Sequence, residues 1–300
     1  MSRFHFIDRE KALYPVNLLC SLLKVSRSGY YAWRDRPPSA RAVADEVLLE
    51  QIKGFHEASR RTYGAPRIHD DLTDAGVHVG CKRVARLMRA AKLQGVHRRS
   101  WKHATKQNPD ALPAPDRLER DFTATGPDQK WVADVTYVPT VQGWLYLAIV
   151  LDVFSRRVVG WSMDSHRKTE LVCDAVKMAV LNRGGQGHTV RGVIHHSDRG
   201  GEYTSHDLER ELRKAGALAS MGSVADCYDN SMAESFFATL ETELFWQQTH
   251  RRFDSHREAK LAIFDYIEVF YNRQRRHTSI GSIPPVTYET RFAQRSDQAA

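Results

Sequence analysis

Between Gln129 and Asp164 the apolar residues fall in three dense runs, QKWVADVTYVPT, WLYLAIVLDVFS and RRVVGWSMD. Each is rich in β-branched and aromatic residues, and Gln142-Gly143 and Arg156-Arg157 mark the turns between them. That texture predicts three successive strands. A helix follows over Thr169 to Arg183, then GVIHHSD as a fourth, buried strand. Residues 205–216 read as a helix, 217–221 as a short strand, and roughly 230–246 and 255–272 as two long helices. The last of these carries Leu261, Phe264, Ile267 and Phe270 on one face, at core or subunit-contact spacing.

Ahead of the strands the period changes. Val16, Leu19, Cys20 and Leu23 fall at helical spacing, and Ser26 is placed to cap a second short helix carrying Arg27, Tyr30, Tyr31 and Trp33. Two short helices across a tight turn form a helix-turn-helix candidate. Pro37-Pro38-Ser39 breaks the pattern before a longer helix over about Ala44 to Ala58. A second pair follows, opened by Pro66 and stopped by Gly76. Its later helix, from about Lys82, buries Val84, Leu87, Met88 and Ala91 and presents Arg83, Arg86, Arg89 and Lys92. That basic face suits a DNA groove or plain solvent equally. From Arg98 to Gly126 the chain is polar and proline-bearing, the texture of a linker. The expected organisation is a helical DNA-binding region over 1–100, a linker over 101–126, an α/β core with C-terminal helices over 127–290, and a tail over 291–300.

Charge sharpens this division. Residues up to 120 hold 23 Lys and Arg against 13 Asp and Glu, whereas the rest hold 21 against 23. A basic field confined to one segment is the footprint of a nucleic-acid binder. The four cysteines, Cys20, Cys81, Cys173 and Cys227, form no CxxC pair and suggest neither a disulfide framework nor a zinc site. Charges interrupt MSRFHFIDREK, so no signal peptide is expected, and no run of about 18 apolar residues suggests a membrane span. A reducing cytoplasm is the expected home.

Three acids stand among apolar neighbours: Asp134 in mid-strand in WVADVTY, Asp198 at the end of the fourth strand, and Glu234 on a helix lined by Met232, Phe236, Phe237 and Leu240. An ionised carboxylate in a buried strand is costly unless paired or bound to metal. Converging at one sheet edge, three such acids would suit Mg²⁺ or Mn²⁺, and two ions about 3.5–4 Å apart would promote in-line phosphoryl displacement. Taken singly, each acid has an ordinary structural use. Asp152, also at a strand end, competes with Asp134, while Glu202, Asp226 and Asp229 read as turn or capping acids.

The spacing of Asp134, 63 residues, Asp198, 35 residues, Glu234 resembles the D-D-E triad of retroviral-integrase-like transposases. The surroundings WVADVTYVPT, YLAIVLDVFSRRVVGW, HHSDRGGEYTS, DNSMAESFFATLETEL and YNRQRRHTSIGSIPPVTYE each look like a block of one family. That family is the transposases of bacterial insertion sequences encoded by a second, downstream reading frame (OrfB). SRSGYYAWRDRP and YGAPRIHDDL resemble its helix-turn-helix region, so the likeness runs from about Tyr14 to Tyr288.

The resemblance implies an α/β fold, a ribonuclease-H-like mixed sheet flanked by helices, behind an all-α helix-turn-helix region. It implies a D-D-E polynucleotidyl transferase that cleaves the 3′ end of an insertion sequence and transfers the strand. Asp134, Asp198 and Glu234 would be catalytic and metal-binding, with two Mg²⁺ or Mn²⁺ ions; His195, His196, Arg199 and Gly200 would shape the loop, His196 standing just behind the ligands. DNA, both element ends and target, would be the partner, met by Arg27, Tyr30, Arg83, Arg86, Arg89, Lys92, Arg98, Arg99, Asn230, Arg273, Arg275 and Arg276. Asn230 suits a helix cap equally well, and the arginines after the last helix suit its dipole. A homo-oligomer on DNA and an upstream-frame (OrfA) product or fusion are further expected partners. One position departs from the family: Glu241 stands seven residues after Glu234, where a basic residue is usual. A catalytically silent, sequence-specific DNA-binding regulator is therefore the competing expectation, and a ribonuclease acting on RNA–DNA hybrids a weaker third.

Overall fold

The computed structural model describes residues 2–96, 115–118, 121–198, 200–222, 230–248 and 251–299. The chain divides into two compact units, Met1–Gly54 and Phe55–Ala300.

The first unit is helical. The helices α1 (Arg3–Glu10), α2 (Val16–Leu22) and α3 (Arg27–Arg34) close on Ile7, Leu19, Cys20 and Tyr30. Helix α1 has no counterpart in the expected elements; Ser2 caps it by accepting from the His5 N–H. Ser26 caps α3 as its position predicts, accepting from the Gly29 N–H at 3.0 Å. The longer helix α4 (Ala40–Ala58) starts directly after the prolines, four residues earlier than expected, and runs into the second unit.

The second unit begins with the helix pair α5 (Ala65–Asp74) and α6 (Cys81–Ala90). Pro66 lies in the first turn of α5, and Gly76, with a φ of +79°, reverses the chain after it. Val84, Leu87 and Met88 are the buried positions of α6. Then come β1 (Lys130–Thr140), β2 (Gly143–Asp152), β3 (Val158–Asp164), α7 (Thr169–Gly184), β4 (Ile194–Ser197), α8 (His206–Ala215), β5 (Leu218–Met221), α9 (Ser231–Glu243), α10 (His256–Phe264) and α11 (Pro285–Ala299). A π-helical turn, Asp265–Tyr271, prolongs α10.

The five strands form one sheet in the order β3-β2-β1-β4-β5. The first three are antiparallel, as their short turns require, while β4 and β5 join in parallel after helical crossovers. Trp131, Ala133, Ala148, Val150 and Val159 form a core with Leu171, Val172, Ala175, Val176 and Ala179 of α7 and with Leu208 and Leu212 of α8. Gly160 sets how closely α7 lies on β3: a Cβ there would fall 2.6 Å from the Ala179 nitrogen. Alternation along β1 then turns Val132 and Asp134 to the opposite face from Trp131 and Ala133.

The stretch expected as linker is partly anchored. Leu118 is buried, the Arg117 N–H donates to Ser220 Oγ on β5 at 2.9 Å, and Lys130 pairs with Asp121 at 2.7 Å. The last ten residues, expected as a tail, are helical through Ala299, and Phe292 meets Phe154 edge to face.

Candidate active site

The site grows from the register of β1 and β4. These strands pair in parallel, Trp131 beside His195 and Val132 beside His196. Continued by two residues, that register sets Asp198, just past the end of β4, beside Asp134. Asp134 lies across from Ile149 of β2, both side chains half-buried or buried in an apolar setting. Burial pushes the Asp134 carboxyl up to about 8, the charge of Asp198 adds to the rise, and that of Glu234 contributes further. The Val135 N–H, 2.8 Å from Asp134 Oδ1, opposes it, as does the more distant Arg167. Asp198 is likewise raised by burial and accepts the Gly200 N–H at 3.0 Å.

Glu234 is exposed in the first turn of α9, where the helix dipole favours an acid. What brings α9 to this place is Asn230. Its side chain is buried and makes no cap bond; Nδ2 donates to the Ala133 carbonyl at 3.1 Å, one residue before Asp134. Asn230 therefore pins the start of α9 to β1, and its amide is not presented to DNA.

Asp134, Asp198 and Glu234 thus share one electrostatic neighbourhood. Among the described residues no three His, Cys, Asp or Glu side chains are arranged to hold a metal ion as they stand. The donor set nonetheless fits a hard divalent cation: carboxylate oxygens on β1 and just past the end of β4, each accepting one backbone N–H, with the charge of Asp198 raising Asp134. Of the two acids, Asp198 acts on Asp134 more strongly and Glu234 more weakly.

Asp152, the sequence competitor of Asp134, has a structural task. Its Oδ1 accepts the Asp128 N–H at 2.9 Å, and its Oδ2 accepts the Ser155 N–H and hydroxyl at 2.8 and 2.7 Å. Fully buried, it closes the turn between β2 and β3. His195 and His196 are also buried; His196 Nδ1 lies 2.9 Å from Ser220 Oγ, tying β4 to β5.

Several expected DNA contacts are interior residues. Tyr30 is fully buried and its hydroxyl donates to Asp8 at 2.9 Å. Arg275 is buried in a bidentate pair with Glu243, both contacts 2.8 Å, where Tyr266 also donates to that carboxylate. Arg276 donates to Asp71 and Asp74 of α5, each at 2.6 Å, and to the Ser282 carbonyl. Within the same motif Asn272 exchanges two hydrogen bonds with the Val158 backbone. YNRQRRH therefore binds its own protein: Asn272 holds β3, Arg275 holds α9 and Arg276 holds α5. Arg27, Arg86, Arg89, Lys92 and Arg273 are exposed and Arg83 half-exposed. Arg98, Arg99 and Arg199 lie outside the described residues, as do Asp226 and Asp229.

These features define a class, a mixed-sheet nucleic-acid-processing core with carboxylates where its two central strands run side by side. Comparison with known proteins agrees. Integrase core domain models match residues 124–227 and 234–292, and an HTH-like domain model matches 43–101. The Insertion element IS600 uncharacterized 31 kDa protein of Shigella sonnei is 40% identical over 276 residues, 92% of this chain and 99% of that one. Transposase InsF for insertion sequence IS3A of Escherichia coli is 36% identical over 295 residues, 96% and 99% of the two chains. Among solved structures, a simian T-cell lymphotropic virus intasome aligns at 14% identity and a TM-score of 0.45, over 80% of this chain and 74% of that one.

The chain belongs to the insertion-sequence transposases with an integrase core, the family of InsF. It is a transposase whose helix-turn-helix-like and integrase domains bind DNA. No helix among the described residues is long and apolar enough to cross a membrane.

Proposed function

We propose that this transposase cleaves the 3′ ends of its insertion sequence and joins them to target DNA at a site made by Asp134, Asp198 and Glu234. The observation that carries this is the juxtaposition of Asp134 and Asp198 in the β1–β4 register, where the charge of Asp198 adds to the rise that burial imposes on the Asp134 carboxyl. Asp134 and Asp198 would hold Mg²⁺ or Mn²⁺, with Glu234 reaching in from α9. When bound, the metal lowers the pKa of an attacking water or hydroxyl and neutralises charge on the phosphodiester. The strands fix both aspartates relative to each other, and Asn230 fixes the helix that carries Glu234. The exposed basic residues Arg86, Arg89 and Lys92 of α6 and its border, with Arg27 and Arg273, are the protein's expected phosphate contacts.

Strand cleavage and joining on labelled DNA carrying the element's end tests this. In Mg²⁺ or Mn²⁺ the wild type should nick and join, and Asp198→Asn, nearly isosteric, should lose both activities by at least a hundredfold. Equal activity in the two proteins would refute the assignment.

A further inference from the structure

Arg167 lies in the loop between β3 and α7, and it faces the Asp198 loop. Its Nε lies 2.5 Å from Glu202 Oε1 and its Nη2 donates to Glu202 Oε2 at 3.2 Å. How tightly these groups converge is measured at Gly200. A Cβ there would fall 3.0 Å from Asp198 Oδ1, 3.0 Å from Glu202 Oε2 and 3.5 Å from Arg167 Nη2. An arginine, its carboxylate partner and Asp198 therefore surround one point that carries no side chain.

The two partners differ in exposure. The Glu202 side chain is 13% exposed, whereas that of Arg167 is 36%. The acid is sunk against the loop, and the guanidinium stands over it towards solvent. Arg167 is also the cation, among the described residues, whose field reaches both Asp134 and Asp198. Glu202, expected from sequence as a turn or capping acid, is instead the tether of this arginine.

A phosphodiester brought to Asp134 and Asp198 is an anion approaching anions. Its entry is eased by a guanidinium, a planar fork that can serve a carboxylate on one edge and a phosphate on another. We propose that Arg167 binds a phosphate of the DNA strand presented to Asp134 and Asp198, and that Glu202 holds the guanidinium in place until the DNA arrives. Glu202 matches that holding role because it is the more covered of the two, adjacent, and paired with the arginine through both Nε and Nη2. This inference rests on the assignment of Asp134 and Asp198 as the catalytic pair.

The test separates the two. Fluorescence anisotropy in EDTA would follow binding of a duplex carrying the element's terminus and of a scrambled duplex of equal length. Wild type, Arg167→Gln, Arg167→Lys and Glu202→Gln would be compared over a range of salt. Arg167→Gln should bind both duplexes roughly tenfold more weakly, the loss of one charge-assisted contact. The slope of log affinity against log salt should shrink by about one. Arg167→Lys should recover part of the affinity, and Glu202→Gln should bind as tightly as wild type or more tightly. Unchanged affinity and slope in Arg167→Gln would overturn the proposal. So would parallel losses in Arg167→Gln and Glu202→Gln, because a pair that merely braces the loop fails from either side. No cleavage is read in this assay. A wild type without metal-dependent cleavage, beside a weakened Arg167→Gln, would sink the catalytic assignment and leave Arg167 as a DNA-binding residue.

Discussion

Two sets of carboxylates flank the same sheet, about 10 Å apart by strand rise because Asp152 pairs with Trp131, three residues from Asp134, and they meet opposite fates. At the β2–β3 turn, Asp128, Asp152 and Glu289 gather around Arg183. Its Nε lies 2.8 Å from Asp128 Oδ1, and its Nη1 and Nη2 donate to Glu289 at 2.9 and 2.6 Å. Arg157 adds a further contact to Glu289 at 2.8 Å, and the Trp131 indole donates to Asp128 at 3.0 Å. Burial works against the Glu289 anion, yet Arg183 holds its carboxyl down at about 2. Three residues along β1, Asp134 has one backbone donor and two acidic neighbours, and its carboxyl stands at about 8. Asp152 falls between, raised by burial to about 6 and pulled back by Arg183 and its three donors. The supply of donors and cations, more than burial, separates the two sets.

Removing the cation should break the braced set most severely. Arg183→Met strands Asp128 and Glu289 in the interior, an expected loss of about 3–5 kcal/mol, measurable by urea unfolding. Next in size is Glu289→Gln, and its effect should depend on pH. The folded-state pKa lies below the ordinary 4.5, so the carboxylate's contribution is complete above pH 4.5 and disappears as the pH falls through about 2. Wild type should exceed the variant by about 3 kcal/mol at neutral pH, with the gap closing on acidification below pH 4.5. A gap that widened on acidification would contradict the ion-pair account. Last, and of opposite sign, is Asp134→Asn. Removing a carboxyl that burial and the charge of Asp198 push up to about 8 should raise stability at neutral pH, while a loss of stability would mark Asp134 as another brace.

Much of the core was legible. The β-branched runs and the helix over Thr169 to Arg183 occur where pattern predicts, whereas the predicted turn residues sit at the edges of the actual turns: Gly143 opens β2, and Arg156-Arg157 close a five-residue loop before β3. Period and turn residues are local, so one sequence suffices to read them. Charged residues at internal joints were not legible, because their use depends on distant partners. Arg275 meets Glu243 from 32 positions away, and Arg276 meets Asp71 and Asp74 from 205 and 202. In sequence, three arginines and a histidine after a helix resemble a DNA grip; in the fold, two of the arginines and the histidine are buried. Tyr30 and Asn230 mislead similarly, their polar atoms being spent on Asp8 and on the Ala133 carbonyl. The Arg167–Glu202 pair is hidden in the sequence for the same reason, its members lying 35 positions apart on different loops. The departure at Glu241 loses its weight against catalysis if Arg167 supplies a phosphate contact from another loop.

The most direct test of the central claim, that Asp134 and Asp198 hold a divalent metal, is titration with Mn²⁺ followed by paramagnetic resonance of the free ion. The wild type should take up Mn²⁺, and its melting temperature should rise with metal concentration as binding to the folded state requires. Asp134→Asn and Asp198→Asn should each lose that uptake while remaining folded. Undiminished Mn²⁺ uptake in both variants would contradict the account.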